Sequence, residues 1–290
     1  MGLFEFALLS GVMYGLFYAF VGIGLNLLFG VMRVVNLAHG DLIVFGGYLA
    51  YVVENDWHIG PLWAIPISIP MGLVFGYVLY YVTMPRLRRS ADTETTSLIL
   101  FFGISQVLQA IATIVFGANQ VTLPSLGAPV RIFGQNYSLS AVVSAAISVP
   151  ALLLLYAYLY RTRLGLETRA VMADQEEALA SGVRVRRVAV TAFMIGVAFA
   201  AAAGSLAMFM LGGVNPVTGS QLTVTAFTVI IIGSLGNPLG TAVGGLLYGL
   251  TASLTQAYLT EWTGMVPYVL LLMVVLLRPS GLFGKRARIA

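Results

Sequence analysis

The amino-acid sequence predicts an all-α, polytopic integral membrane protein, organised as one domain over residues 1–290. Hydrophobic residues make up 59% of the chain, and charged residues make up only 9%. A water-soluble domain carries about 25% charged residues, so this composition is far too apolar for a solvated surface. The apolar runs also lack the alternation typical of membrane-barrel strands, which leaves helices as the spanning form.

Nine apolar segments follow one another along the chain, and we expect about nine transmembrane helices, within a range of eight to ten. A helix needs roughly 20 apolar residues to cross a bilayer core of about 30 Å. Two segments depart from this pattern, because 223–235 is short and 37–53 begins with polar residues. The nine segments are 5–30, 37–53, 61–83, 95–117, 139–160, 188–211, 223–235, 240–259 and 263–277.

Basic residues at the segment ends predict the orientation of the chain. They cluster at Arg33 and within 86–89, 161–187 and 278–288, whereas Arg131 stands alone on the opposite side. Because cytoplasmic loops are enriched in Lys and Arg, we expect the N-terminus outside and the C-terminus in the cytoplasm. The clusters lie at the ends of apolar runs and do not form a soluble stripe interleaved with aromatic residues, so their distribution indicates membrane topology and argues against nucleic-acid binding.

The longest polar excursion spans residues 161–187 and is predicted to be cytoplasmic. Good helix formers from 167 to 181 predict a short helix that ends at Gly182. Such a connector suits either a helix resting on the membrane surface or a docking element, and the residues leave both open. The predicted apolar stripe of this helix consists of Val171, Ala178 and Leu179.

The stretch 36–41 has the sequence NLAHGD and follows the first apolar segment. Ionisable residues inside a membrane segment are costly and usually face a cavity or the protein interior. His39 and Asp41 would point to different sides of a regular helix, and Gly40 between them favours a broken one. We therefore expect Asn36, His39 and Asp41 to border a translocation path. Alternatively, the stretch is an interfacial helix start with Asp41 near the helix dipole.

A second predicted break lies near 233–240, where Gly236, Asn237 and Pro238 interrupt a glycine-rich run. A broken helix leaves amides and carbonyls unpaired near a path, so Ser234 and Asn237 are candidate path residues. The tight connection before a closely packed helix is the ordinary alternative. A further break at 212–216 adds Asn215 as a candidate.

Several familiar chemical sites are missing from the sequence. It contains no phosphate-binding loop, and no zinc or serine-hydrolase motif. Two histidines, His39 and His58, give no metal cluster, and cysteine is absent. We therefore expect no cofactor, no resident metal and no enzymatic activity in this chain.

Taken in order, these stretches resemble the permease of branched-chain amino acid ABC importers, and more closely its LivH-type subunit. The resemblance rests on Asn36 to Gly40, on Val214-Asn215-Pro216 and on the run from Thr225 to Thr241. It covers almost the whole chain, including the connector 161–187. The sequence departs from the family pattern at Ile232 and at positions 236–238, which read Gly-Asn-Pro.

The resemblance implies an importer that moves branched-chain or related amino acids from the periplasm across the bacterial inner membrane. Its implied partners are a second, LivM-like permease subunit, two cytoplasmic ATPase subunits, a periplasmic solute-binding protein and membrane lipid. By the same analogy, residues 167–182 become the element that couples to the ATPase. The implied coupling residues are Glu167, Asp174, Glu177, Ala178, Leu179 and Gly182.

Three alternatives remain open from the sequence. Close relatives of such permeases import urea, short amides or aromatic acids. A passive channel would use the same helices without an ATPase, and 161–187 would then be merely structural. An ion-coupled transporter would need a carboxylate near the membrane midplane, and Asp41, the one candidate, is expected near one end of its segment.

Overall fold

The computed structural model describes residues 2–284, so Lys285, Arg286 and Arg288 of the predicted basic tail lie outside the described residues. Short 3-10 helices cover Pro61–Trp63 and Thr260–Met265, and one hairpin pairs β1 (Val130–Ile132) with β2 (Gln135–Tyr137). The α-helices of this range are α1 (Leu3–Met32), α2 (His39–Asn55), α3 (Ala64–Leu87), α4 (Thr93–Phe116), α5 (Leu139–Arg161), α6 (Arg163–Ala173), α7 (Gln175–Ala180), α8 (Val185–Met210), α9 (Thr218–Gly233), α10 (Pro238–Tyr258) and α11 (Val266–Leu277).

Each of the nine predicted segments coincides with a helix, but nine full spans are not confirmed. By length and composition, six of the described helices are sufficient to cross a membrane. The number is seven if α9 and α10, which bend by 117° at their junction, form one span. α11 reaches spanning length only together with the preceding 3-10 helix, over residues 260–277. The architecture is thus all-α and polytopic, with fewer candidate spans than predicted.

α1 and α8 form the centre of the bundle. In each of them, 72% of the most apolar stretch is buried, compared with 22% in α4 and 28% in α5. The peripheral helices therefore present apolar side chains outward, as expected for a surface that contacts lipid or another membrane subunit.

α1 and α10 approach each other at a row of glycines. A methyl group placed on Gly249 would lie 2.4 Å from the Cα atom of Gly15, and one on Gly245 would lie 2.6 Å from the Cα atom of Ala19. Small residues at these positions allow the two backbones to pack closely, which is a common way to hold helices together in lipid. This contact agrees with the closely packed helix that the sequence predicts after the glycine-rich run, with Gly245 and Gly249 in the middle of α10.

The connection between α4 and α5, residues 117–138, is an ordered loop. It contains the β1–β2 hairpin, and Val121 pairs with Val214 through two backbone hydrogen bonds of 2.8 and 2.9 Å. This bridge attaches the loop to the segment between α8 and α9, so it fixes the approach of the chain to α9.

The prediction of one continuous helix over 167–181 is wrong, because the helix breaks at Asp174. This residue is extended, with φ −153° and ψ 121°, and its carboxylate accepts hydrogen bonds from the amides of Glu176 and Glu177 at 2.8 and 2.9 Å. Asp174 thus caps a new helix, α7, in place of continuing α6.

The predicted apolar stripe of the connector is confirmed in part. Val171 and Ala178 are buried, whereas Leu179 is 64% exposed and does not pack against the bundle. The predicted stop at Gly182 is confirmed, since this residue has φ +83°. The Val183 amide bonds to the Ala178 carbonyl at 3.0 Å, and the Gly182 amide bonds to the Leu179 carbonyl at 3.0 Å. This pair of bonds is the Schellman arrangement that ends many helices.

Candidate functional site

α2 begins inside the bundle and not at its end. After α1, residues 33–38 are not helical, and the Nε2 atom of His39 lies 3.0 Å from the carbonyl oxygen of Val21. Val21 precedes Arg33 by 12 residues of helix, or about 18 Å along the axis of α1. The chain therefore turns back along α1 before α2 starts. This geometry confirms the predicted break near 36–41 and places Asp41 deep in the bundle, contrary to the expectation that it lies near one end.

α9 also begins inside the bundle, beside the start of α2. The Oδ1 atom of Asn215 accepts hydrogen bonds from the amides of Val217 and Thr218 at 3.0 and 2.9 Å and so caps its first turn. The hydroxyl of Thr223 accepts from the Gly40 amide at 2.9 Å and lies 3.1 Å from the Leu37 carbonyl. Thr223 therefore satisfies backbone groups that the break before α2 leaves without helical partners.

The carboxylate of Asp41 lies at the first turns of both helices. Asp41 occupies the first turn of α2, and its Oδ1 atom lies 2.2 Å from where a methyl group on Gly219 would be, in the first turn of α9. An anion is stabilised near helix N-termini, and here two of them converge. The start of each helix thus directs its positive end toward this carboxylate.

The polar groups of the stretch 36–41 are enclosed and incompletely paired. Asn36, His39 and Asp41 are between 0% and 2% exposed. Ser105 and Gln109 of α4 are the polar side chains facing Asp41. Among the described residues, neither Asp41 carboxylate oxygen makes a hydrogen bond of normal geometry, and the His39 Nδ1 and Asn36 Nδ2 atoms have no partner. As predicted, His39 and Asp41 point to different neighbours.

The second break is held by Asn26, a residue that the sequence analysis missed. Its side-chain amide nitrogen donates to the carbonyl oxygen of Asn237 at 2.9 Å and to that of Ser234 at 3.5 Å, and its Oδ1 atom accepts from the Gly236 amide. It also bonds to the hydroxyl of Thr241. One buried side chain from the last third of α1 therefore bonds to three backbone groups of this turn.

The two remaining path candidates have defined roles in the second break. The Oδ1 atom of Asn237 accepts from the Gly240 amide at 3.1 Å and caps α10. The Ser234 hydroxyl donates to the Ser280 carbonyl at 2.9 Å, which ties the turn to the segment after α11. The structure thus divides the six predicted path residues into two groups at opposite ends of α9, separated by about 24 Å of helix.

A polar cavity of about 290 Å³ lies beside α9. Part of α9 faces outward, and its residues Ser220 and Gln221 are exposed. None of the six predicted path residues lines this cavity. The principal polar residues lining the cavity are Tyr14, Tyr18, Gln221, Thr225, Tyr248 and Gln256.

The connector between α5 and α8 packs directly against the second break. The Cε atom of Met172, in α6, would lie 2.4 Å from a methyl group on Gly30 and 4.0 Å from one on Gly236. Met172 therefore occupies a notch between α1 and the turn before α10. Of the predicted coupling residues, Glu167 is half-buried on α6, Asp174 caps α7, Glu177 and Leu179 are exposed, Ala178 is buried and Gly182 ends α7.

Comparison with known proteins identifies relatives along the whole length of the chain. The family model for the permease component of branched-chain amino acid transport systems matches residues 7–275. The high-affinity branched-chain amino acid transport permease LivH of Salmonella typhimurium is 30% identical, over 95% of this chain and 94% of that protein. BraD of Pseudomonas aeruginosa, a permease of the same description, is 27% identical over 96% of this chain and 95% of its own length.

More distant similarity extends to a second type of permease. LivM of Escherichia coli is 24% identical over 91% of this chain and 67% of its own length. No solved structure matches the chain. A family model covering nearly all of the described bundle, together with two relatives that match over at least 94% of their own length, settles the family. The chain belongs to the permease components of branched-chain amino acid transport systems, and it is a multi-pass membrane transport subunit and not itself an enzyme.

Proposed function

We propose that this chain imports branched-chain or closely related amino acids as one of two permease subunits of an ATP-driven importer. One observation carries the proposal: α2 and α9 both begin inside the bundle and meet at Asp41 and Gly219. Helices that begin within the membrane place their positive ends and free backbone groups near transported solutes. A zwitterionic amino acid has a carboxylate that suits these positive ends and an ammonium group that suits the carboxylate of Asp41.

In this proposal, the six candidate residues border the path by fixing its broken helices. Asn36, His39 and Asp41 are enclosed in this conformation, so solute reaches them only after α2 and α9 move apart. A transporter alternates between states of different accessibility, and a bound solute favours the state to which it binds more tightly. Asn215, Ser234 and Asn237 cap or tie the ends of α9 and α10, so they set how these helices move.

The energy source is proposed to lie on partner subunits. The sequence contains no phosphate-binding loop, so two cytoplasmic ATPase subunits would provide the energy for uphill import. A LivM-like second permease and a periplasmic solute-binding protein would complete the assembly in the bacterial inner membrane. The similarity of this chain to LivM supports a pair of related permeases. The basic clusters support an external N-terminus and a cytoplasmic C-terminus.

Residues 161–187 are proposed as the coupling segment that receives movement from the ATPase. α7 presents Glu177 and Leu179 to the surface, where a partner can contact them. Behind α7, Met172 of α6 fills the notch formed by Gly30 and Gly236. Displacement of the segment would therefore press directly on the turn that joins α9 to α10. The packing of Met172 supports a mechanical connection between partner and path.

Reconstitution of the assembly in liposomes tests this function. We expect accumulation of radiolabelled leucine only when ATP, the ATPase subunits and the binding protein are all present. Urea and an aromatic acid serve as competing solutes that distinguish the substrate alternatives. Equilibration of any of these solutes through the chain alone, without ATP, would show a passive channel and overturn the proposal.

The double variant Glu177→Ala, Leu179→Ala is expected to lose solute-stimulated ATP hydrolysis. Coupling free energies between sites typically correspond to about 5- to 150-fold effects, and we expect a loss in that range. Both side chains are exposed, so membrane insertion and thermal stability should not change. The matched control is Leu154→Ala, at a 69% exposed position on α5. Unchanged hydrolysis in the double variant would remove α7 from the coupling role.

His39→Ala is expected to reduce leucine uptake at least about fivefold, because it releases the start of α2 from Val21 and leaves a buried cavity. His58→Ala is the matched control. That histidine is exposed and contacts only the nearby Glu54 carbonyl, at 3.2 Å, among the described residues. We expect uptake by the control to match that of the unmodified protein. Full uptake of several solutes by His39→Ala would show that this residue does not border the path.

A further inference from the structure

A cavity of about 1100 Å³ lies at the end of the bundle that carries the coupling segment. Its walls come from the ends of α1 and α3, the start of α8 and one side of α7. Two acidic residues, Asp174 and Glu176, line it together with five arginines, so the formal balance is five positive against two negative charges. The arginines are Arg33, Arg88, Arg184, Arg186 and Arg187.

The acidic residues do not neutralise this cluster. The carboxylate of Asp174 already accepts two amide hydrogen bonds at the start of α7, which directs it toward α7. Arg186 is held near the cavity wall, since its guanidinium carbon lies 5.6 Å from the centre of the Tyr81 ring. A cation over an aromatic face is a favourable contact that leaves the guanidinium donors available. Within the described part of the chain, no hydrogen bond or ion pair engages the five arginine side chains, so the cavity presents several cationic donors to an anion.

The cavity continues from the arginines into the membrane part of the bundle. Thr191 and Val190 line its inner part, and Thr191 lies six residues after the start of α8, or about 9 Å along the helix. Tyr81 lies six residues before the end of α3, at a corresponding depth. Beside it, Val78 and Val82 of α3 are 51% and 52% exposed. The charged mouth is thus continuous with an outward apolar helix face.

We propose that this cavity binds an anionic phospholipid, with the phosphate among the arginines and the upper acyl chain along α3. Arginine binds phosphate oxygens through paired, charge-assisted hydrogen bonds. Basic pockets between helices at the cytoplasmic surface are typical binding places for anionic headgroups. An acidic face of a soluble partner would match the arginines alone, whereas a lipid supplies both a charge for the arginines and an apolar chain for Val190 and the exposed face of α3.

The lipid would act on the coupling segment. Gln175, Glu176 and Leu179 of α7 form one wall of the cavity, and α8 forms another. A bound headgroup would therefore bridge α7 to α3 and α8 and hold the segment in place. This inference goes beyond the proposed function, since lipid binding requires neither ATP nor solute, and the two ideas fail or succeed separately.

The test counts lipids retained by the assembled transporter after transfer from nanodiscs, using native mass spectrometry. Nanodiscs of phosphatidylglycerol and phosphatidylcholine are compared, with and without added inorganic phosphate. We expect preferential retention of phosphatidylglycerol that inorganic phosphate does not displace. In Arg184→Gln, Arg187→Gln, we expect that preference to fall at least about tenfold, because each arginine contributes roughly a fivefold change in affinity.

The matched control is Arg161→Gln, Arg163→Gln, which removes two exposed arginines of the same connector that do not line the cavity. This control is expected to retain phosphatidylglycerol as the unmodified protein does. Equal loss in both variants would show general surface attraction and overturn the proposal. Displacement by inorganic phosphate alone would show a simple anion site. If the variant Arg184→Gln, Arg187→Gln lost the ATPase subunits but retained lipid unchanged, the cavity would be assigned to protein docking. Either of these results would also overturn the lipid site.

Discussion

Asn26→Leu is expected to abolish uptake and to destabilise the protein more than any other single polar replacement in α1. Leucine has the same number and branching of side-chain heavy atoms but supplies none of the hydrogen bonds to Gly236, Ser234 and Asn237. A buried polar group left without a partner costs about 1–3 kcal/mol, and water cannot replace the bonds inside a membrane. The Ser234 and Asn237 carbonyls keep bonds from the amides of Asn237 and Thr241, whereas the Gly236 amide loses its partner, so we expect a loss of about 1–3 kcal/mol. Thermal unfolding in detergent and leucine uptake in proteoliposomes measure the two effects.

Asn55→Leu is the matched control for this variant. Asn55 is exposed at the end of α2, and its side chain bonds only locally, to the Tyr51 carbonyl at 3.1 Å. We expect the control to unfold at the same temperature as the unmodified protein and to retain uptake. If Asn26→Leu behaved in the same way, the turn at 234–237 would not depend on α1, and our account of the second break would be wrong.

The helices and their breaks were predictable because their signals are local. Apolar runs set the helices, and the residues Gly40, Gly236 and Pro238 interrupted the pattern where the structure has its breaks. The end of α7 at Gly182 was predictable for the same reason, because glycine is a local helix-stop signal. The break at Asp174 was also predictable in principle. Asp174 followed three residues later by Glu177 is a helix-start pattern. The spacing of the apolar residues Val171, Ala178 and Leu179 fitted one continuous helix and concealed this pattern.

The depth of the first break was not predictable, because it depends on contacts between distant residues. Nothing near residue 39 shows that the chain turns back to Val21 of α1, or that Thr223, 183 positions from Gly40, receives its amide. A charged residue after an apolar segment is ordinarily placed at the membrane surface. The expectation that Asp41 lies near one end of its segment was therefore wrong, because tertiary contacts set its position. The count of spans is affected for the same reason, since α2 and α9 begin inside the bundle and have only 17 and 16 residues.

Asn26 was missed because a single asparagine in a long apolar helix gives no periodic signal. Its partners lie 208 to 215 positions away in the sequence. A useful rule follows from the physics, because an amide in lipid must find partners in the protein. One polar side chain in the middle of an otherwise apolar span therefore indicates a contact with non-helical backbone. Applied to this sequence, that rule would have connected α1 to the break near 233–240.

Gly40→Ala is expected to abolish uptake while the chain still inserts in the membrane. A methyl group on Gly40 would lie 1.8 Å from the carbonyl oxygen of Gly219 and 2.7 Å from the amide nitrogen of Thr223. These neighbours are backbone atoms, so rotation of a side chain cannot relieve the clash. The starts of α2 and α9 must move apart, which breaks the 2.9 Å bond from the Gly40 amide to Thr223 and carries Asp41 away from Gly219. We expect at least about a hundredfold loss of uptake, as for comparable misplacements of about 1 Å.

Gly103→Ala makes the same chemical change without the same contact. Gly103 lies in α4, is exposed, and has nothing within 4 Å of an added methyl group. Alanine favours a helix over glycine by about 1 kcal/mol, so this control should be slightly stabilised and fully active. Normal uptake by Gly40→Ala would mean that α2 and α9 tolerate separation. Because their junction alone brings the two positive helix ends to Asp41, that result would also remove the physical basis for an amino-acid site at this depth.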